Sequence, residues 1–393
     1  MKILHINYSD YRGGASRAAY RLHSCLRKKV KSRFYCNFSK YYRKDNSIIY
    51  KGNLLKNIYF LIGKLISLFF KTKFSIFSAG IMPTKISKFI NESNYDLVHL
   101  HWIGGETLSI KDIGFIKKPI VWTLHDLWPL NGGDHSSFEN TWKKKKKFIC
   151  RNKVNKYLLM LKKKAWKNKI YFISPSTWVK KEFNQSFLSN SFRSVVIPNA
   201  LDTDYWRKKK QNKNFKNVVG YVNPYKKSYT KGTDLFNKII LKLDRKLNKK
   251  IKLKVLGKKI NRNFILKNIT LEFYNGDNDK KVKDFYNSIN VLLLTSRQET
   301  FCQVASEATS CGVPIVSFAV GGLKDIIVSG KNGFLVKAFN CDLIVNTVIK
   351  ILGIKHNKLK KMEKNCIVLA KKRYDKEVVS NRHLTYYKKI LSL

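Results

Sequence analysis

The chain is short of acid. Its 393 residues include 25 Asp and Glu against 79 Lys and Arg, so the formal net charge is +54. A field of that sign attracts polyanions: nucleic acid, anionic lipid or phosphorylated substrates. The excess is nearly all lysine and runs from end to end, with neither a zinc-ligand spacing nor an RNA-binding sheet signature beside it, which argues against a nucleic-acid partner. A chain-wide lysine bias accounts for the runs at 143–147, 162–164 and 208–210 as solvated faces, and a selected basic surface is the alternative.

Cysteine pairs are missing as well. The seven cysteines (25, 36, 150, 302, 311, 341 and 366) contain no CxxC, and an odd number suits a reducing compartment better than a disulfide framework. "MKILHINYSD" turns polar after a handful of apolar residues, so no signal peptide is read and the cytoplasm is the expected location. Nor is there a long unbroken apolar run. Residues 53–77 are rich in Leu, Ile and Phe, yet Lys56, Lys64, Lys71 and Lys73 interrupt them, whereas a spanning helix wants about 20 residues with few charges. Two readings stay open for this stretch. It is either a basic amphipathic helix lying on the inner face of the cell membrane, or a helix packed on a domain core.

Against these absences stand 44% hydrophobic and 13% aromatic residues, enough for a folded protein. The length exceeds the ~250–300 residues at which a single core stops growing, so two domains are expected. "KILHINY" (2–8) reads as a strand, followed by a loop with paired glycines and a helix bearing Ala15, Ala18, Ala19, Leu22 and Leu26 at helical spacing. The alternation recurs at 95–103, 118–128, 169–183 and 194–202. After a lysine-rich stretch at 207–216 a second series begins with "NVVGYVN", "IKLKVLG", "ITLEFYNG", "INVLLLTS", "VPIVSFA" and "GFLVK". Repeated strand and helix predict an α/β protein of two doubly wound, Rossmann-like parallel sheets. The boundaries are placed at 1–205 and 206–375, with a terminal helix at 376–393 that could lie on either domain.

The stretch "TSRQETFCQVASEATSCGVPIV" (295–316) sets two glutamates eight positions apart among small and apolar residues. Glu299 follows a strand through a turn, and Glu307 lies in the helix after it. The helix N-terminus between them offers backbone N–H groups at Phe301 and Cys302, suited to an anion. A ligand with hydroxyls at both ends and phosphate in the middle fits. Gly13 and Gly14 likewise let backbone approach a phosphate or sugar at the first helix N-terminus, with Arg17 one turn in. His125 and Asp126 end one strand, while His99 and His101 end another and share a face. His5 and Trp102, Trp122 and Trp128 read as packing. No His/Asp/Cys cluster has metal-ligand spacing, so no metal is expected.

The register "ETFCQVASEATSCGVPIVSFAVGGLKDII..GKNGFLV" resembles the Glu-x7-Glu signature of retaining family-4 glycosyltransferases across some forty residues. Weaker likeness extends over nearly the whole chain, in "GGASRAAYRL", "VHLHW", "WTLHDLW", "SPSTW", "VIPNALDTDYW" and "KGTDLF", and points toward members that assemble bacterial surface polysaccharides. The resemblance implies a GT-B fold, with two such domains facing across a cleft. It implies transfer of a hexose-type sugar, with retention, from a nucleotide-diphosphate donor to a glycan or lipid-linked saccharide, with no cofactor or metal. It assigns Glu299 to the donor sugar, Glu307 to the ribose, Lys231 to the diphosphate, and His125, with His101 and Asp126, to the sugar and acceptor side. Catalysis is thus expected of His125, Glu299 and Lys231, and donor binding of Gly13, Gly14, Phe301, Cys302 and Glu307 as well. Two departures stand out. Cys302 replaces the usual glycine, and the family arginine before Lys231 is missing: Tyr221 stands in its place, with Lys226 or Lys227 as substitutes. The rival expectations are a sugar-nucleotide epimerase on the same fold, which needs acidic catalytic groups in the first domain where only Asp126 and Asp134 are obvious, and a non-catalytic basic protein binding anionic membrane or nucleic acid.

Overall fold

A computed structural model describes residues 1–50, 54–70, 76–136, 149–167, 169–209, 217–223, 229–259 and 265–392. The chain divides into two compact units, Met1–Ala200 together with Lys376–Leu393, and Leu201–Asp375. In the first unit the elements are β1 (Lys2–Ser9), α1 (Gly13–Leu26), β2 (Lys31–Phe38), β3 (Ile48–Tyr50), α2 (Leu54–Phe70), α3 (Ile86–Glu92), β4 (Leu97–Leu100), α4 (Ile110–Phe115), β5 (Ile120–Thr123), α5 (Ile149–Ala165), β6 (Ile170–Ser174), α6 (Thr177–Asn184) and β7 (Ser194–Val196). The second unit holds β8 (Val218–Asn223), α7 (Thr233–Lys246), β9 (Ile251–Gly257), β10 (Ile269–Tyr274), α8 (Asp279–Tyr286), β11 (Val291–Leu294), α9 (Gln303–Ser310), β12 (Ile315–Phe318), α10 (Leu323–Ile326), β13 (Gly333–Val336), α11 (Cys341–Leu352) and α12 (His356–Tyr374). The terminal helix α13 (Lys376–Leu391) belongs to the first unit. Its Val379, Tyr387 and Ile390 join the core formed by Ile3, Leu26 and Leu97, and Lys29 donates to Asn381 at 2.6 Å.

Both sheets are parallel throughout, and they share one strand order over six strands, to which the first adds β7 at its edge. The first runs β3-β2-β1-β4-β5-β6-β7 and the second β10-β9-β8-β11-β12-β13. Strands covered by helices on both faces must be apolar along their whole length, and β11 "VLLL" and β5 "IVWT" are buried at every position. In sheets of this order a crevice opens at the carboxyl ends of the two strands where the winding reverses. Those pairs are β1 with β4 and β8 with β11. Neither β2 nor β3 stands out in the sequence pattern. In β2, Lys31 and Arg33 break the apolar run, although Phe34 and Cys36 are buried.

Two lysine runs divide differently. Lys208 and Lys209 are solvated and paired with Glu363 and Asp284. Lys162, expected on a solvated face, is instead wholly buried, and its ammonium donates to the carbonyls of Trp128, Asn131 and Gly132 while lying 3.7 Å from the Trp128 ring centre. Three acceptors replace the water that burial removed. The run at 143–147 lies outside the described residues.

Helix α2, from the ambiguous stretch, has two apolar faces. Ile66 and Phe70 pack on the core and Phe60 on Tyr8 and Phe38, with Gly63 set against Glu106. Ile58, Leu61, Leu65, Leu68 and Phe69 are exposed. Among the described residues no helix is long and apolar enough to cross a membrane.

Candidate active site

In the second unit the reversal point carries charge. Strand β8 leads toward the turn Tyr229–Lys231, and β11 runs into Thr295, Ser296 and the turn that bears Glu299. Glu299 is only 8% exposed, and one oxygen, Oε1, accepts both from Lys231 Nζ at 2.7 Å and from Ser296 Oγ at 2.7 Å. Burial works against the Lys231 ammonium, but the Glu299 carboxylate overrides it and raises the lysine above its ordinary pKa. The two partners are 68 residues apart in the chain.

Their loops are strapped together by groups that nothing in the sequence pattern singles out. Arg297 forks onto Asp234 with two bonds of 2.6 Å, lies 4.0 Å from the Tyr229 ring centre, and donates to the Tyr229 carbonyl at 3.1 Å. The backbone N–H of Arg297 also donates to the Thr230 carbonyl at 2.7 Å. A bidentate arginine fixes direction as well as distance, so the Lys231 turn is held in register with the Glu299 turn. Arginine after a strand is too common a residue to be noticed without that geometry.

Gly232 makes the close approach feasible. It sits at φ +63°, and a Cβ there would lie 1.9 Å from the Thr295 carbonyl oxygen. Gly321 does the same for the other loop, at φ +49° with its missing Cβ 2.1 Å from the Glu299 carbonyl oxygen. Gly232→Ala is expected to lower stability by about 1–3 kcal/mol through left-handed strain and steric displacement. Urea unfolding of the variant checks this, and an unchanged midpoint would contradict it.

Glu307 lies on α9, 2% exposed, where its Oε2 accepts from Tyr286 O–H at 3.2 Å. Burial first, and then Glu307, push the Tyr286 phenol well above its ordinary pKa, so it stays a donor. Cys302 caps the start of α9 with φ 81°, a backbone that favours the glycine usual at this place in the family. Its thiol is pushed up, by burial and then by Glu299. Phe301 is buried with its ring edge-on to Tyr374. Tyr221, which stands in place of the missing arginine, is a core residue: it is 2% exposed and stacked on Phe236 with ring centres 3.5 Å apart. Lys226 and Lys227 lie outside the described residues.

In the first unit, β1 ends at Ser9, and Gly13 opens α1 at φ +84° with no atom within 4 Å of the Cβ it lacks. Exposed Gly14 follows it, and neither α1 cap involves a side chain. Beside them runs a row of buried histidines. His5 and His99 are register partners on β1 and β4. His5 Nδ1 meets His101 Nε2 at 3.0 Å, and His101 Nδ1 meets His125 Nε2 at 3.1 Å. His99 is bonded to Thr123 Oγ1 at 2.8 Å and, from α13, to Tyr387 O–H at 2.6 Å. Burial holds all four imidazoles below their ordinary pKa, His125 at about 4, so at neutral pH they are uncharged donors and acceptors.

The absence of a metal-like cluster does not carry over from sequence to space. Ring nitrogens of His5, His99 and His101 all lie within 4.8 Å of one another, brought together by strands whose pairing no spacing rule reveals. His99 and His101, however, already use both ring nitrogens within the protein. His5, His101 and His125 form a hydrogen-bonded chain, so His5 is more than packing, while His99 bonds to Thr123 and Tyr387 beside it.

Asp126 is held by three donors: Trp102 Nε1 and His135 Nδ1 at 2.5 Å each, and Trp128 N at 3.0 Å. Burial would raise it, yet His135 and the donors keep its pKa below the usual carboxylate value. His135 in turn meets Ser78 Oγ at 2.9 Å. Asp126 therefore anchors the loop after β5, and both it and the neighbouring His125 are partly exposed.

Comparison with known proteins bears on both units. Residues 12–205 match the family model described as Glycosyltransferase Family 4, and residues 202–372 the model described as Glycosyl transferases group 1. An uncharacterised glycosyltransferase of Methanocaldococcus jannaschii is 28% identical over 294 residues, 72% of each chain. The capsular polysaccharide biosynthesis glycosyltransferase CapM of Staphylococcus aureus is 31% identical over 86 residues, 20% of this chain and 23% of its own. Among solved structures, Anabaena Alr3699/HepE in complex with UDP and glucose superimposes with a TM-score of 0.64 at 15% identity, covering 99% of both chains.

Proposed function

Since the chain belongs to the family-4 glycosyltransferases of GT-B fold, we propose that it moves a hexose-type sugar, with retention of anomeric configuration, from a nucleotide-diphosphate donor to a glycan or lipid-linked saccharide. The setting proposed is surface-polysaccharide synthesis in the cytoplasm, against the inner face of the membrane. The observation that carries this reading is the Lys231–Glu299 pair at the carboxyl ends of β8 and β11, where a parallel sheet of this order opens its crevice.

In this reading Glu299 accepts hydrogen bonds from the hydroxyls of the donor sugar and orients its anomeric carbon. Glu307, kept in place by Tyr286, receives the ribose, and Lys231 with the first amides of α9 neutralises the diphosphate. The acceptor oxygen bonds to the anomeric carbon on the face from which the phosphate departs. The bond from that carbon to the phosphate oxygen breaks, and the acceptor proton passes to the departing phosphate. No protein nucleophile is required. The neutral His125 orients sugar hydroxyls by hydrogen bonding. UDP is the favoured nucleotide, since the Anabaena neighbour is described with UDP and glucose. The overlap with a capsular polysaccharide enzyme supports the choice of pathway class.

The test is a thermal-shift panel with UDP, GDP and their sugar conjugates on the wild type, Glu307→Ala and the volume-conserving Glu307→Gln. A ligand at a hundred times its dissociation constant stabilises by about 2.7 kcal/mol. UDP compounds are expected to raise the wild-type midpoint and to lose most of that effect in both variants. No shift with any nucleotide would overturn the donor reading.

A further inference from the structure

Along α2, Ile58, Leu61, Leu65, Leu68 and Phe69 recur at helical spacing and form a stripe about 100° wide. The helix does not need this stripe to hold its place, because Gly63, Ile66 and Phe70 on the other side already pack on the first unit. Leu61, Leu65 and Phe69 are 55%, 57% and 85% exposed, and Ile76 and Ile81 beyond the helix add more exposed apolar surface. A surface stripe of that size signals a partner.

Charge selects the partner. Residues 46–91 contain seven lysines (51, 56, 64, 71, 73, 85 and 88) and no Asp or Glu. Lys64 is exposed on α2 at the flank of the stripe. A second copy of this chain would bring +54 against +54, with the same acid-free segment on both sides, so charge opposes self-association through this face. An anionic bilayer satisfies both requirements, because acyl chains take the apolar stripe and the headgroups take the lysines.

We infer that α2 docks this protein on an anionic lipid bilayer, with Leu61, Leu65 and Phe69 inserted at the acyl boundary and Lys64 among the headgroups. The inference deepens the proposal that the enzyme works against a membrane, and it rests on that reading. The helix lies parallel to the surface, since the same helix is fixed along its length by packing on its other side.

Co-sedimentation with vesicles tests it, using pure phosphatidylcholine and an equimolar mixture with phosphatidylglycerol. Wild type is expected to sediment with the mixed vesicles and to stay in solution with the neutral ones. The exposed-face variant Leu65→Ser/Phe69→Ser is expected to bind the mixed vesicles about tenfold or more weakly, and Lys64→Glu to weaken binding while leaving the stripe intact. UDP-sugar thermal shifts should be the same in these variants as in wild type. Equal sedimentation of the double variant overturns the inference, as does a stripe that proves to hold a dimer, seen as a fall in sedimentation-velocity mass in the double variant with vesicle binding unchanged. Because the thermal shift reads the donor site alone, a donor failure with vesicle binding retained removes the nucleotide reading and leaves the docking face standing.

Discussion

Lys231→Met is expected to lower the rate of sugar transfer by about 10²–10³-fold, with the larger share in kcat. Negative charge grows on the diphosphate only as its bond to the sugar breaks, so an ammonium fixed beside it favours the transition state over the bound donor. The effect needs the lysine already in place, and Glu299, Arg297 and Gly232 hold it there. The same substitution strips a nearly buried carboxylate of its cation, leaving only Ser296 on Oε1. Stability therefore has to be separated from catalysis. In Lys231→Met/Glu299→Gln both charges are gone, and the double variant is expected to unfold close to wild type in urea while remaining inactive. Steady-state kinetics with a UDP-sugar donor decides the matter. A Lys231→Met enzyme with near-normal kcat and raised KM would mean that the lysine binds donor uniformly and gives the transition state nothing extra.

Acid is expected to unfold the first unit well above the range in which carboxylates protonate. His23 and His383 are both buried, and burial brings each down to about 4. In His383 the backbone carbonyl of Val379 offsets part of that fall and Arg382 adds to it, while in His23 Asp45 opposes it and Arg27 and Arg33 assist. His5, His99 and His101 are pushed down by burial first and then by neighbouring histidines. In the unfolded chain the same side chains titrate near 6.5. Between about 6.5 and 4 the unfolded state therefore binds more protons than the folded one, and stability, full above that window, drains away as pH falls through it. His23 and His383 alone contribute on the order of 3 kcal/mol each. Asp45, held at about 2 against the pull of burial by Ser47, Tyr20 and Arg27, adds its loss only below the histidine window.

Tryptophan emission reads this unit, since Trp102, Trp122, Trp128, Trp166 and Trp178 belong to it and Trp206 alone among the described tryptophans belongs to the other. The urea midpoint followed by emission is expected to drop steeply from pH 7 to pH 5. His383→Gln should make the slope shallower by removing one of the protons taken up. A midpoint that stays level down to pH 4.5 would show that the histidines gain their protons without leaving the fold.

Much of this protein is written locally. Two winding α/β series, the strand ends that bear Glu299, His101 and His125, and the register from Glu299 through Glu307 can be read from windows of a few residues, because burial on both faces makes a parallel strand apolar and a helix repeats every 3.6 residues. Strand β2 escapes such a reading because Lys31 and Arg33 point out of a strand whose other residues are mostly buried.

What tertiary structure decided is which distant residues meet, and on which side of the surface each one falls. Lys231 finds Glu299 across 68 residues and His5 finds His101 across 96, because parallel pairing of β8 with β11 and of β1 with β4 needs a long crossover that no local window spans. Lys162 reads like its neighbours Lys163 and Lys164, yet it is buried, since only the folded loop at 128–132 supplies three carbonyls for its ammonium. The stretch around α2 is ambiguous for the same reason. Its composition makes both faces apolar, and only packing against the first unit determines which face is covered and which, lined by Leu61, Leu65 and Phe69, is left for a partner.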